Sequence, residues 1–199
     1  MKVKWSKSGI KIDGKGIYFI SGEIEYFRIP KEAWSDRLNK LKEANANTVA
    51  FYIPWEWHES VEGKYDFTGK THPQRDLKGW LELCEKSGLY IFPRIGPYIY
   101  SEWKLGGIPE WLGKNYPEAL CKRVDFEKGG ALSAVSPGTI SYLNEIYLKH
   151  VERWYKNLIN LFKKHLNKII FIQPDNEIGG AVPFDYQEHV LNIYKKWLK

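Results

Sequence analysis

Lys168 to Gly180 reads KIIFIQPDNEIGG. Four apolar residues in a row, Ile169 to Ile172, predict a short strand buried on both faces. The strand runs straight into a polar, glycine-ended turn that carries Asp175, Asn176 and Glu177. A buried strand that ends in acids is informative about fold if other strands end the same way. The acids then converge on the C-terminal edge of a parallel sheet, where open α/β sheets and α/β barrels build their sites.

Working outward, the same unit recurs. Before the strand, Ser141 to His165 predicts a long helix with Ile146, His150, Val151, Trp154, Leu158, Ile159 and Phe162 on its inner side. After it, a helix from about Gln187 carries a stripe of Val190, Leu191, Tyr194, Trp197 and Leu198. Further upstream, Leu89 to Ile95 is a strand opening into Gly96-Pro97-Tyr98 and Ser101-Glu102-Trp103, although Pro93 inside it weakens the pattern. Thr48 to Ile53 is a strand opening into Pro54-Trp55-Glu56-Trp57-His58-Glu59. The helix between them starts at an Asp76 cap, buries Leu77, Trp80, Leu81 and Cys84, and stops at Gly88. Ile10 to Ile20 predicts a hairpin about Asp13-Gly14, opening into Glu23, Glu25 and Arg28, and Pro30 starts a helix with Trp34, Leu38 and Leu41 on one face. Residues 113 to 138 have no clear period and read as a long irregular loop.

Strand and helix alternate four times, which predicts parallel strands joined by right-handed crossovers. Acids and aromatics gather at the strands' C-terminal ends, while turns such as Ala46-Asn47 and Leu166-Asn167 carry little chemistry. That asymmetry is the mark of an α/β barrel. A doubly wound sheet competes structurally, but no G-x-G-x-x-G opens the first helix, which argues against a dinucleotide site.

Composition narrows the function. Lys and Arg number 30 against 24 Asp and Glu, but the cations are scattered among acids on helix faces, as in Lys163-Lys164 and Lys195-Lys196. That is a solvated surface and not a nucleic-acid stripe. Two cysteines, Cys84 and Cys121, make no disulfide framework and suit a reducing compartment. The N-terminus has no apolar leader and no run of about 18 apolar residues occurs, so a cytoplasmic protein without a membrane span is expected. A single Met and abundant Lys and Glu lean towards a heat-adapted source. Aromatics are the outlier, with nine Trp and thirteen Tyr. Trp55, Trp57, Tyr98, Tyr100, Trp103 and Trp111 lie beside acids in predicted loops, and flat apolar faces next to hydroxyl-binding acids suit a sugar.

The predicted strand ends bring Glu23, Glu25, Glu56, Glu59, Glu102, Asp175 and Glu177 towards one mouth. No Ser/His/Asp order, H-E-x-x-H or paired Cys/His spacing is present, so neither a metal nor another cofactor is expected. His58 reads as a hydrogen-bonded loop histidine. Paired carboxylates amid aromatics equip a chain for glycoside hydrolysis, with one acid kept protonated by desolvation and a second that attacks the anomeric carbon or activates water. Glu177 is the acid candidate because its strand reads as the most buried, and Asn176 could bond a sugar hydroxyl beside the breaking bond.

Five blocks carry a resemblance: Ser21-Gly22-Glu23-Ile24-Glu25-Tyr26-Phe27-Arg28-Ile29-Pro30; Tyr52 to Glu59; Gly96-Pro97-Tyr98-Ile99; Glu102-Trp103 with Gly106 to Leu112; and Gln173 to Gly179. In order from about Gly9, they resemble glycoside hydrolase family 35, the β-galactosidase family. The resemblance implies a TIM (β/α)8 barrel and a retaining exo-mechanism with Glu177 as general acid/base. Asn176, Tyr52, Glu102 and Ser101 would contact the terminal sugar, and Trp103 lines the same mouth. In that family the nucleophile is a second Glu on a later strand.

Four units in 199 residues are half of a barrel that needs roughly 250 or more. Residues 1 to 199 are therefore expected to be the N-terminal part of a catalytic barrel. Such a part would need its C-terminal half or another chain, tend to associate, and be inactive alone. Three departures from the galactosidase pattern are acidic: Glu25 where His is usual, Glu56 where Asn is usual, and Asp175 before the Asn-Glu pair. Ile178 also replaces an expected Tyr. Added carboxylates would favour a protonated amino sugar over neutral galactose. In this the chain is similar to the archaeal exo-β-D-glucosaminidases of the family, which trim chitosan oligosaccharides. The competing expectation is that Glu25 and Glu56 pair with Arg28 and Arg94 and never meet substrate.

Overall fold

The structure, a computed structural model, describes residues 2–7, 9–121, 140–177 and 185–199. Strands β1 (Val3–Ser6), β2 (Gly9–Ile12) and β3 (Lys15–Ile17) form a small antiparallel sheet. Asp13 and Gly14 turn β2 into β3 with φ of 48° and 85°, the left-handed conformation that this dipeptide tolerates. Sequence reading misses β1, which sets Val3 against Ile12 and Trp5 against Ile10. It also runs the hairpin too far, because β3 stops at Ile17 and the next strand belongs to a different sheet.

That second sheet holds the core. Strands β4 (Ser21–Glu23), β5 (Thr48–Tyr52), β6 (Tyr90–Gly96) and β7 (Gln173–Pro174) lie side by side in chain order, all parallel. The connecting segments contain helices α1 (Trp34–Glu43), α2 (Trp55–His58), α3 (Leu77–Ser87), α4 (Glu110–Asn115) and α5 (Glu145–Phe162), and α6 (Glu188–Trp197) follows β7. The four-fold alternation of strand and helix read from the sequence is present.

β5 is buried along its whole length, with a paired strand on each side. Against it pack Trp34 and Leu38 of α1 and Leu77, Trp80, Leu81 and Cys84 of α3, all buried as their helical spacing predicts. Trp80 is the hub, with ring centroids 5.4 Å from Trp34, 5.6 Å from Phe51 and 5.7 Å from Tyr26. The Asp76 carboxylate accepts the Gly79 amide hydrogen at 2.9 Å, and Gly88 closes α3 at φ 85°, so both ends of that helix lie where the sequence put them. Cys84 is buried, and Cys121 donates from Sγ to the Ile140 carbonyl at 3.1 Å.

Three expectations change. The stretch 169–172 is not buried on both faces. The strand expected there is reduced to a bridge from Ile169 to Ile91, and the paired strand β7 follows it at Gln173–Pro174; Ile169 is buried, but Phe171 is half-buried and Ile172 exposed, because among the described residues this segment has β6 as its single neighbour. α5 is shorter than read and starts where the Asn144 side chain accepts from the Ile146 and Tyr147 amides. Its buried stripe is Tyr147, His150, Trp154, Leu158 and Phe162; Ile159, one residue past Leu158, turns outward. The α6 stripe exists but none of it is buried among the described residues, and Tyr194, Trp197 and Leu198 are exposed. In the region read as a loop, α4 reaches Asn115 and a 3-10 turn spans Pro117–Ala119. Gly129-Gly130 and Pro137-Gly138 lie outside the described residues, as does Ile178. No helix among the described residues is long and apolar enough to cross a membrane.

Candidate active site

Parallel pairing sets the C-terminal ends of β4 to β7 next to one another, and Arg94 on β6 reaches towards all three other strands. Its Nη2 donates to Asn176 Oδ1 at 2.8 Å and its Nε to Gln173 Oε1 at 3.1 Å, while Nη1 pairs with Glu23. Its guanidinium carbon lies 3.8 Å from the centroid of the Tyr52 ring. The Tyr52 hydroxyl donates to the same Asn176 oxygen at 2.9 Å, and Gln173 Nε2 does so at 3.2 Å. Three donors converging on one atom identify it as the carbonyl oxygen of the amide. Asn176 is accordingly buried and held, and Tyr52 and Asn176, separated by 124 residues in sequence, are in direct contact.

The residues on either side of Asn176 have φ of 58° (Asp175) and 47° (Glu177), a conformation that costs a non-glycine residue roughly 1–2 kcal/mol. This double left-handed turn buries Asp175 and Asn176 while leaving Glu177 exposed. Glu177 does not follow the most buried strand: that is β5, and among the described residues β7 is an edge. Asp175 faces inward. Its Oδ1 accepts from the Tyr98 amide at 3.0 Å, the Tyr142 hydroxyl at 3.3 Å and the Asn176 amide at 3.3 Å, and burial pushes its pKa above the usual carboxylate value.

The first strand's acids differ sharply. Glu23 is paired with Arg94. Glu25 is largely buried, accepts the Tyr52 amide at 3.3 Å through one oxygen, and has no partner for the other. Burial first, then the charge of Glu23, push its pKa up to about 8. The pairings anticipated for Glu25 and Glu56 are absent. Arg28 instead donates to the Ser101 carbonyl and lies 3.8 Å from Glu102, Arg94 takes Glu23, and Glu56 accepts the Trp103 indole hydrogen at 3.0 Å. Tyr100, Ser101 and Glu102 all have positive φ and present Glu102 with 79% of its side chain in solvent. Trp103 packs edge-on against Phe27 and Trp57, at 5.1 and 5.9 Å.

Glu59 leaves the candidate set, and His58, read as a loop histidine, sits at the end of α2. His58 is buried between the Tyr26 hydroxyl at 2.6 Å and the Asp66 carbonyl at 2.7 Å, as expected of a structural histidine. Glu59 is fully buried and its carboxylate is taken up by the Trp55 indole, the Gly63 amide and Arg153. Among the described residues no cluster of His, Cys, Asp or Glu could hold a metal. Sequence reasoning named Arg94 only as a partner for Glu25 or Glu56 and gave Gln173 no contact in the site. The signal was that both occupy strand positions adjoining the polar turns.

Carboxylates, an amide and aromatic rings gathered at the C-terminal ends of parallel strands form the kind of site that glycoside hydrolases build. Residues 9–128 match the model of glycosyl hydrolases family 35, and the chain belongs to that family. It is 41% identical to an exo-beta-D-glucosaminidase of Pyrococcus horikoshii over its whole length and 27% of that protein. It is 36% identical to a beta-1,2-glucosyltransferase of Ignavibacterium album over 94% of this chain and 26% of that one. In fold it is similar to a beta-galactosidase from Halorubrum lacusprofundi, with a TM-score of 0.64 at 17% identity over 90% of this chain and 24% of that one. The chain thus spans about a quarter of the length of the curated relatives it matches.

Proposed function

We propose that this chain supplies the acid/base half of the site of a retaining exo-β-glycosidase, on the first four βα units of a TIM barrel. The observation that carries the reading is the turn after β7, where Asn176 is locked by Tyr52 and Arg94 while the next residue, Glu177, is exposed and its charge acts on the Tyr52 and Tyr98 hydroxyls. Glu177 gives its proton to the glycosidic oxygen as a carboxylate from the facing half of the barrel attacks the anomeric carbon. It then takes a proton from the water that cleaves the glycosyl-enzyme bond. Because Glu177 is exposed here, the desolvation that keeps a general acid protonated comes from that facing half and from the bound sugar. Tyr52, Asn176, Ser101 and Glu102 contact the terminal sugar, and Trp103, steadied by Glu56, offers it a flat face.

A terminal β-linked glucosamine is the favoured substrate, supported by the 41% identical relative and by the exposed side chain of Glu102, which precedes the Trp103 bonded to Glu56. The acidic departures carry less of this argument than their number suggests. Asp175 is spent on Tyr98 and Tyr142, and Glu25 is held protonated at neutral pH by its burial. A second reading, carbohydrate binding without turnover, is favoured by the state of the other acids nearest the turn among the described residues: Glu23 is ion-paired and Glu25 buried.

The completed protein, this chain with the remaining half of the barrel supplied, separates these readings. Hydrolysis of chromogenic β-glucosaminide and β-galactoside, lost on Glu177→Gln, is the expected result. Sugar binding with no turnover in the completed protein would establish the second reading, and a clear preference for galactoside would defeat the amino-sugar assignment.

A further inference from the structure

We propose that Arg94 is the positioning residue of the acid/base turn, its guanidinium fixing the Asn176 carbonyl and thereby the direction in which Glu177 leaves the sheet. The inference rests on the acid/base reading of Glu177. Guanidinium geometry is what singles Arg94 out. It is a rigid planar fork, and here its three nitrogens take three different acceptors: Glu23 from β4, Gln173 from β7 and Asn176 from the turn after β7. The fourth partner, the Tyr52 ring, lies against its face at 3.8 Å and fixes the plane of the fork.

β7 needs this help. It is two residues long, its register against β6 shifts between Arg94 and Gly96, and it has an open far edge among the described residues. The backbone ladder alone therefore holds the turn weakly, and the residues flanking Asn176 sit in left-handed conformations that persist only when their surroundings impose them. Arg94, through Gln173 and Asn176, is such a constraint on both sides of Asp175. A lysine would keep the charge opposite Glu23 but cannot reach Gln173 and Asn176 in one plane.

The test compares kcat/KM of the completed protein on two substrates of the same sugar. One has a poor, alkyl or sugar leaving group that needs protonation, and the other an activated aryl leaving group that does not. Glu177→Gln is the reference and should lose far more on the first substrate than on the second. Arg94→Lys should show the same pattern at smaller size, about 10²-fold on the poor leaving group and a few-fold on the activated one. Equal losses on both substrates, or rates restored by Lys to those of the unsubstituted protein, would overturn the proposal while leaving Glu177 in place. If Glu177→Gln itself shows no leaving-group dependence, the acid/base reading is what fails. Should Arg94→Lys not fold, Gln173→Met removes one acceptor of the fork without touching Glu177. A leaving-group-dependent loss of roughly tenfold supports the proposal, and an even loss or none refutes it.

Discussion

Arg153 on α5 donates from Nη2 to Glu59 at 2.6 Å, and the Glu59 side chain has no exposed surface. The pair joins the loop after β5 to a helix 94 residues later, so α5 is held over the sheet by a buried charge as well as by Trp154 packing on Trp55. Removing one partner of such a pair leaves the other charge stranded, at about 3–5 kcal/mol. Arg153→Ala should therefore lose a stability of that order in urea unfolding. Adding Glu59→Gln to it should recover part of the loss, and a single-variant loss under about 1 kcal/mol would show the pair to be incidental.

Glu25 makes the fold sensitive to alkali. Its pKa in the folded chain is about 8 against an ordinary 4.5, so the folded chain keeps a proton that the unfolded chain has released. Its contribution is complete below about pH 4.5, declines as pH rises, and is gone above about 8. Glu25→Gln should abolish that decline. Each kcal/mol moves the melting temperature of a domain this size by roughly 2–4 °C, and the variant should retain at least that much more of its melting temperature between pH 5 and 8. Parallel pH profiles for the two proteins would discard the idea.

His58 acts in the opposite direction. Burial holds its pKa down to about 4 against an ordinary 6.5, so stability is lost as pH falls from 6.5 towards 4. His58→Phe should flatten that acid limb in a thermal melt series. At pH 7 it should still cost roughly 1–3 kcal/mol, since it strands the buried Tyr26 hydroxyl.

Gly106 has φ 62°, and a Cβ placed there would lie 2.1 Å from the Tyr98 ring. Gly106→Ala must displace the ring of Tyr98, the residue whose backbone amide binds Asp175. We expect faster proteolysis within residues 96–110 and weaker sugar binding by the completed protein, with the α3 core unaffected in tryptophan-reported unfolding. Unchanged cleavage of that loop would show that the site tolerates a shifted Tyr98.

The elements that the sequence displayed clearly are those with local causes. α3 could be read end to end because Asp76, the Leu77–Cys84 spacing and Gly88 each act within a few residues, and the β5 run was plain because both of its faces are covered. The site was legible as a list and not as an arrangement. Tyr52 and Asn176 do meet, but the exposure of Glu177, the inward turn of Asp175 and the reach of Arg94 depend on positive-φ turns and strand register, which no periodicity records. The same holds for the run leading into β7: four apolar residues look alike whether a segment is central or at an edge.

The order of the sheet also bears on the time course of folding. β4, β5 and β6 pair across short connections, with α1 and α3 between them, whereas β7 reaches β6 only after closure of a loop of more than seventy residues. Loop-closure entropy delays the later pairing. Substitutions such as Val49→Ala or Phe51→Leu in β5 should slow folding, and Ile169→Val should mainly speed unfolding. The Asn176–Glu177 turn would then be among the last parts of the chain to take shape and the first to be lost.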